Sequence, residues 1–404
     1  MLEIVDLFRD KGTVDELGFG SIRDAFSDHF FPGTSTIYTR ARYLLFVPWI
    51  YLRIERDHIP YSQLDGRARR DQAALARALQ HGGEGDAQGV IGIQAGETLE
   101  RTPAAIYWTG LKRFRIWRFP GSMAQYYAAV RRAGPTAEVV RSDDGELVER
   151  TAIPGWHTGL PKEPPGLLEC TTLSLTAEEA EYLRERITVE APGSLLAFCV
   201  DGGRRISRID YPWLHPDPDK LPTQLRTDLG HAHRFSVAAY GAALLYNLML
   251  AEKAAEASIP IGESLVDRRR HEIQVWASRD PAPRALLRGW RMSELWSTVL
   301  GKGHEISHGT RQFVEDLVAI MQVDPGGLAD HTGARRTIER RELALKGGLA
   351  RLTHRRALER FFNGSTGSAG LYEQTYRWPN VKRILADIHA GLAHKDAPEE
   401  QPDA

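Results

Sequence analysis

A mostly α-helical fold is predicted by three features of this 404-residue chain. Helix-start signals recur along it, apolar residues repeat at helical spacing, and segments that alternate like a half-buried strand are sparse. The expected architecture is a multi-helix, bundle-like one with at most a few short strands.

Taken in order, Thr13 and Glu16 have capping-box spacing, in which the hydroxyl and the carboxylate each accept from an otherwise orphaned backbone N–H. Phe31-Pro32-Gly33 closes a first segment. Thr34-Ser35-Thr36 then opens a long helix expected to reach about Glu55, with a kink at Pro48 because proline removes a backbone donor. Tyr61–Leu79 reads as a second, more polar helix, and the Gly-rich residues 81–97 as a loop. Pro103 opens a helix to about Phe114, since a missing N–H is harmless in the first turn. The turn Phe119-Pro120-Gly121-Ser122 precedes another helix from about Met123 to Arg132. Residues 134–166 are rich in Pro, Gly, Asp and Glu without periodicity, and read as an exposed insertion. Beyond it, Thr176 and Glu179 repeat the capping box. Ser194–Val200 fits a short buried strand or a buried helix, which periodicity does not separate. Val237–Ala251 is nearly all apolar, as in a helix buried on most sides. Val381, Ile384, Leu385, Ile388 and Leu392 form one stripe with Pro379 at its start. The linear division is a helical unit over 1–133, the insertion 134–166, a second helical unit over 167–393 and a frayed tail 394–404.

The chain is 42% hydrophobic and 26% charged, ordinary values for a globular protein. A net charge of −1 supplies no long-range field, so a nucleic-acid partner has to be met by a local patch. Cys170 and Cys199 sit in apolar surroundings without metal-ligand spacing, and read as core thiols in a reducing cytosol. The start, Met1-Leu2-Glu3-Ile4-Val5-Asp6, lacks the basic and apolar parts of a signal peptide. The longest apolar runs fall short of the roughly 20 residues that span a bilayer. A cytoplasmic protein with no membrane partner is expected.

His304-Glu305-Ile306-Ser307-His308 matches H-E-x-x-H, in which two histidines one helical turn apart bind zinc and the glutamate serves as base. Its context argues against a rigid helix, because Gly301, Gly303 and Gly309 crowd it. His231 and His233 are two apart and cannot share a metal on a helix. No phosphate-binding glycine loop and no nucleophile elbow is present, and no cofactor is implied. The basic clusters carry more information. Lys112, Arg113, Arg115 and Arg118 alternate with Phe114, Trp117 and Phe119, a pattern suited to phosphate contact and base stacking. Between 335 and 360, Arg336/Arg340, Arg351/Arg355 and Arg356/Arg360 fall one turn apart. This stripe is a nucleic-acid footprint, a solvated face, or the partner of the acidic residues Asp143, Asp144 and Glu146. Arg40 and Arg42 precede an apolar helix and read as structural salt bridges to Asp24 or Asp28.

Several strings are distinctive. Asp15-Glu16-Leu17-Gly18-Phe19-Gly20-Ser21-Ile22-Arg23-Asp24, Phe31-Pro32-Gly33-Thr34-Ser35-Thr36, Thr39-Arg40-Ala41-Arg42-Tyr43, Ile106-Tyr107-Trp108-Thr109-Gly110-Leu111, Phe119-Pro120-Gly121-Ser122 and Tyr376-Arg377-Trp378 resemble the bacterial domain-of-unknown-function family 6361. The resemblance spans most of the chain. It implies no activity and carries over no catalytic residue. It implies an association with bacterial genomic islands that encode helicases and defence components, and an extra N-terminal segment in most members. Three readings of function follow. The first is a non-enzymatic accessory protein that binds nucleic acid or a partner complex through Lys112, Arg113, Arg115, Arg118, Arg336, Arg340, Arg351 and Arg355. The second is a metal-dependent hydrolase built on His304, Glu305 and His308. The third is a protein-interaction scaffold whose charges are only surface.

Overall fold

The computed structural model describes residues 15–57, 59–84, 89–93, 99, 101–133, 138–141, 147–150, 155–202, 206, 208–300, 304–364 and 367–393. Thr13 and the acidic residues 143–146 lie outside this set, as does the tail after 393. The described chain is mostly α-helical, with one antiparallel hairpin, β1 (Glu138–Arg141) and β2 (Leu147–Arg150). It divides into two compact units, each discontinuous in sequence: residues up to His29 with Tyr211–Tyr376, and Phe30–Asp210 with the segment from Arg377 onward. This division differs from the linear one suggested by composition.

The first unit is organised on α8 (Thr223–Glu256), which contains the predicted apolar run. By length and composition α8 resembles a membrane span, and 89% of its most apolar window is buried within the fold. Around it lie α1 (Gly20–Phe30), α9 (Leu265–Ser278), α10 (Pro283–Leu287), α11 (Met292–Leu300), α12 (His308–Val323), α13 (Thr332–Lys346) and α14 (Arg355–Gly364). Phe235 of α8 meets Phe19 edge-on, and Phe19 stacks on Phe313. A Cβ at Gly241 would lie 2.5 Å from the Trp276 ring, so the absence of a side chain lets α9 close on α8. The polar residues inside the apolar helix fasten a distant loop. Asn247 donates to the Ala369 carbonyl at 2.7 Å and accepts from its amide at 2.8 Å, while Ser236 accepts from the Gln374 amide at 2.9 Å.

The second unit contains α2 (Tyr43–Arg56), α3 (Tyr61–Leu79), α4 (Pro103–Arg113), α5 (Met123–Ala133), the hairpin, α6 (Ala177–Glu190), α7 (Leu195–Asp201) and α15 (Trp378–Ala393). Helices α3, α4, α5 and α15 fall where spacing and proline placed them. The Thr176 capping box forms with both of its hydrogen bonds. Ser194–Val200 resolves to a helix, because Ser194 accepts from the Ala197 amide at 3.1 Å as a cap. Helix α15 packs on α6 with Val381, Ile384, Leu385 and Ile388 of its predicted stripe buried.

The long helix expected from Thr34 starts only at Tyr43, and it runs through Pro48. The reason lies in the distant chain. The Tyr107 hydroxyl accepts from the amides of Thr39 (2.8 Å) and Arg40 (3.0 Å), so these groups serve a tertiary clamp rather than a helix. The predicted partners of the two arginines are also corrected. Arg40 pairs with Asp387 at 2.8 Å and Arg42 with Glu179 at 2.7 Å. Asp24 and Asp28 instead take Arg23 and His304. Cys199 is a buried thiol whose pKa is pushed up to about 12 by burial, whereas Cys170 is exposed, not a core thiol.

Candidate nucleic-acid interface

The four cations of the first basic cluster are all exposed: Lys112 and Arg113 in the last turn of α4, then Arg115 and Arg118. The aromatic residues between them point the other way. Phe114 and Trp117 are 2% and 3% exposed, so they support the surface and offer no face on which a base can stack. That corrects the stacking expectation for these two rings, while Phe119 is half-buried. The inversion of side-chain direction comes from Arg115, whose φ of 52° ends the helix in the left-handed region usually given to glycine. For a residue with a Cβ this conformation costs roughly 1 kcal/mol.

After this turn, residues 116–118 run antiparallel to 155–157. Trp117 and Trp156 are bridge partners, Arg118 donates its amide to the Gly155 carbonyl at 2.8 Å, and the His157 amide donates to Ile116 at 2.8 Å. Partners across a bridge share a face and their neighbours take the other. The two tryptophans are buried with ring centroids 4.8 Å apart, and Arg118 is left outward beside His157. The end of the polar insertion is therefore built into the fold at Trp156.

Helix α6 supplies the rest of the surface. Tyr182, Arg186 and Glu190 are spaced by four and lie on one stripe. Glu190 sits between two guanidiniums, 3.6 Å from Arg115 and 3.6 Å from Arg186, and its carbonyl accepts from Arg113. The Arg186 Nη2 lies 3.5 Å from Glu185. Two buried polar atoms on this stripe, the Tyr182 hydroxyl and Arg186 Nε, have no hydrogen-bond partner among the described residues. Burying such atoms unpaired costs free energy comparable to a lost hydrogen bond. The His157 ring packs 5.6 Å from that of Tyr182. Burial, then the charges of Arg186 and Arg118, hold the His157 pKa below its usual value despite Glu185 and Glu190. Lys112, Arg113, Arg115, Arg118 and Arg186 thus outnumber Glu185 and Glu190 on this stretch, beside a histidine whose pKa is lowered. Tyr182, Arg186 and His157 escaped sequence reasoning because they are scattered singly, and only the spacing of Tyr182 and Arg186 hinted at a shared face.

The second basic stretch is largely consumed inside its own unit. Arg335 pairs with Glu252 and donates to the Ala329 carbonyl at 2.6 Å. Arg341 donates to the carbonyls of Leu17 (2.8 Å) and Gly18 (3.2 Å). Arg351 is not the surface cation it was expected to be. It precedes α14 rather than sharing a helical ridge with Arg355, and it lies 3.0 Å from Glu16 in a mostly buried network with Tyr246, Glu342 and Lys346. Arg355 pairs with Glu359 at 2.7 Å on the surface, and Arg336, Arg340, Arg356 and Arg360 are exposed.

The H-E-x-x-H residues do not share a helix. His304 and Glu305 lie in a non-helical segment, and α12 begins at His308, capped by Ser307, which accepts from the Thr310 amide at 3.2 Å. His304 Nε2 meets Asp28 at 3.1 Å, while Glu305 and His308 are exposed. Among the described residues no group of three or more His, Cys, Asp or Glu is gathered to hold a metal ion. His231 and His233 lie within α8 and face different neighbours, Trp290 and Trp213.

The model of a family of unknown function, DUF6361, matches residues 2–391, and the chain belongs to that family. No curated protein and no solved structure matches it.

Proposed function

We propose that this member of the family acts by binding, as an accessory protein to nucleic acid or to a complex that handles it, and that Lys112, Arg113, Arg115 and Arg118 with α6 form the contact surface. The observation that carries the reading is the cluster itself: four exposed cations set over buried Phe114 and Trp117, in a chain whose net charge is −1. Guanidinium forks suit phosphate oxygens, and with Phe114 and Trp117 buried the contact is chiefly to the backbone rather than to bases. Binding of this kind is insensitive to sequence and strongly dependent on salt.

The test is fluorescence anisotropy with labelled single- and double-stranded DNA and RNA between 50 and 200 mM salt. If the four cations each neutralise a phosphate on duplex DNA, log K falls against log salt with a slope of roughly −3 to −4. Reversal of Lys112, Arg113, Arg115 and Arg118 to glutamate should remove that slope and the binding. Unchanged affinity in the reversed protein refutes the assignment.

For the 335–360 stretch a second reading has its own support. Leu343, Leu345 and Leu349 are 43%, 44% and 65% exposed in the same segment as Arg336 and Arg340. Apolar and cationic groups side by side suit an acidic protein partner more than a phosphate backbone. On this reading, reversal of Arg336, Arg340 and Arg355 leaves the anisotropy titration unchanged.

A further inference from the structure

The first unit holds a cleft of about 370 Å³ lined by residues near the start of α8 and by the segment joining α10 to α11. Three arginines reach it: Arg226 and Arg234 from α8, and Arg288 from the joining segment. Its lining carboxylate, Glu294, is paired with Arg291. The volume lies within the range of small-molecule sites.

The cleft is constructed rather than incidental. Arg234 Nε donates to the Leu286 carbonyl at 2.9 Å, which among the described residues leaves its terminal nitrogens for another acceptor. A Cβ at Gly230 would meet Arg234 Nη1 at 2.9 Å, so this glycine lets the guanidinium lie across the helix surface. The facing segment is pinned by Gln322, which donates to the carbonyls of Leu287 (2.9 Å) and Trp290 (3.1 Å). Among the described residues Arg226 makes a surface pair with Asp219 at 3.2 Å, worth little in water.

His231 adds a directional donor. Trp290 Nε1 donates to His231 Nδ1 at 2.8 Å. An indole nitrogen only donates, so Nδ1 must be the acceptor and the imidazole proton resides on Nε2. Burial lowers the pKa of His231, as does the charge of Arg234, against the weaker pull of Glu294 and Asp228. Three guanidiniums and one fixed neutral N–H around a small cleft match a dianion with several terminal oxygens. Guanidinium forks favour such planar, multidentate recognition over a single charge.

We propose that this cleft binds the phosphate monoester group of a ligand, with Arg226, Arg234 and Arg288 on the oxygens and His231 donating from Nε2. The cleft belongs to the first unit and the cationic residues 112–118 to the second, and the proposal does not depend on that earlier reading. The chemistry is shared by a free nucleotide and by the 5′-phosphate end of a strand.

Isothermal titration of the full chain with inorganic phosphate, AMP and adenosine tests it. AMP and phosphate should bind and adenosine should not. Arg234→Gln and Arg288→Gln should each weaken AMP at least tenfold at unchanged Tm. Arg288 is exposed, so its variant keeps the test valid if Arg234→Gln fails to fold. Gly230→Ala should weaken AMP severalfold by displacing Arg234. Adenosine binding as tightly as AMP, no binding of AMP, or affinity unchanged in both arginine variants overturns the proposal. A ten-nucleotide oligothymidylate with and without a 5′-phosphate separates the two sources. A 5′-phosphate-dependent gain over AMP that Arg288→Gln removes assigns the strand end, and equal affinity assigns the free monoester. The reversal of Lys112, Arg113, Arg115 and Arg118 should leave AMP binding intact, so failure of either site is distinguishable from failure of the other.

Discussion

Replacing Glu342 by glutamine should destabilise the first unit by ~3 kcal/mol, at the lower end of the cost of breaking a buried ion pair. The carboxylate is fully buried. It accepts from the amides of Arg351 (3.0 Å) and Leu352 (2.9 Å), from the Tyr246 hydroxyl, and from Lys346 at 3.3 Å. Glutamine preserves the shape and one acceptor oxygen. It also turns an NH₂ group toward donors and leaves Glu16, among the described residues, to face both Lys346 and Arg351 alone. Burial alone would raise the Glu342 pKa, but the hydrogen bonds from Tyr246 and the two amides, with the Lys346 charge, outweigh it and hold the pKa below its ordinary value. The sign follows. A carboxylate whose folded pKa is depressed contributes stability above its unfolded pKa, about 4.3, and that contribution is lost as pH falls through the folded value. Calorimetry of Glu342→Gln at pH 7 and pH 3, with hydrogen exchange at the amides of Arg351 and Leu352, measures both effects. The wild-type advantage should be large at pH 7 and shrink at pH 3, with faster exchange of those two amides in the variant. A loss under about 1 kcal/mol with unchanged amide protection would refute the network as a stabilising element.

Glu55 should show the opposite pH dependence. Burial pushes its pKa up to about 7, although Trp156 Nε1 (2.9 Å) and the Tyr126 hydroxyl (3.2 Å) donate to it. Its folded form keeps a proton that the unfolded chain releases, so stability should decline from about pH 4.5 to pH 7 and then level off. Glu55→Gln should flatten that profile and stabilise the protein at pH 8 by ~2 kcal/mol, after discounting for partial exposure; equal Tm differences at pH 5 and pH 8 would sink the idea. Gly241→Val should cost at least ~2 kcal/mol by overpacking the contact with Trp276, read as a fall in Tm or loss of soluble protein, whereas the same change at exposed, unobstructed Gly348 should cost far less.

Helices α3, α4, α5 and α15 were legible because their signals are local. Proline in a first turn, a hydroxyl cap and apolar residues every three or four positions act within a turn or two of chain. The composition of Val237–Ala251 likewise established that this helix is surrounded by protein. The basic cluster at 112–118 was legible as charge, yet not as geometry. Which of its side chains face solvent depends on the backbone of Arg115 and on pairing with 155–157, far away in sequence.

The partners of long-range groups were decided by the tertiary structure alone. Thr39, Arg40 and Arg42 look like helix-start residues beside a few nearby acids, and they are instead tied to Tyr107, Asp387 and Glu179. Arg351 reads as one more cation in a stripe, while the fold buries it against Glu16 and Tyr246. His231 carries no motif, and its tautomer is set by Trp290, 59 residues on. The sequence by itself determined the helices, the buried centre and the supply of arginines. The fold decided which arginines remain free, because a charge leaves water only where distant chain provides its counter-charge or carbonyl, and such pairing has no signature in local spacing.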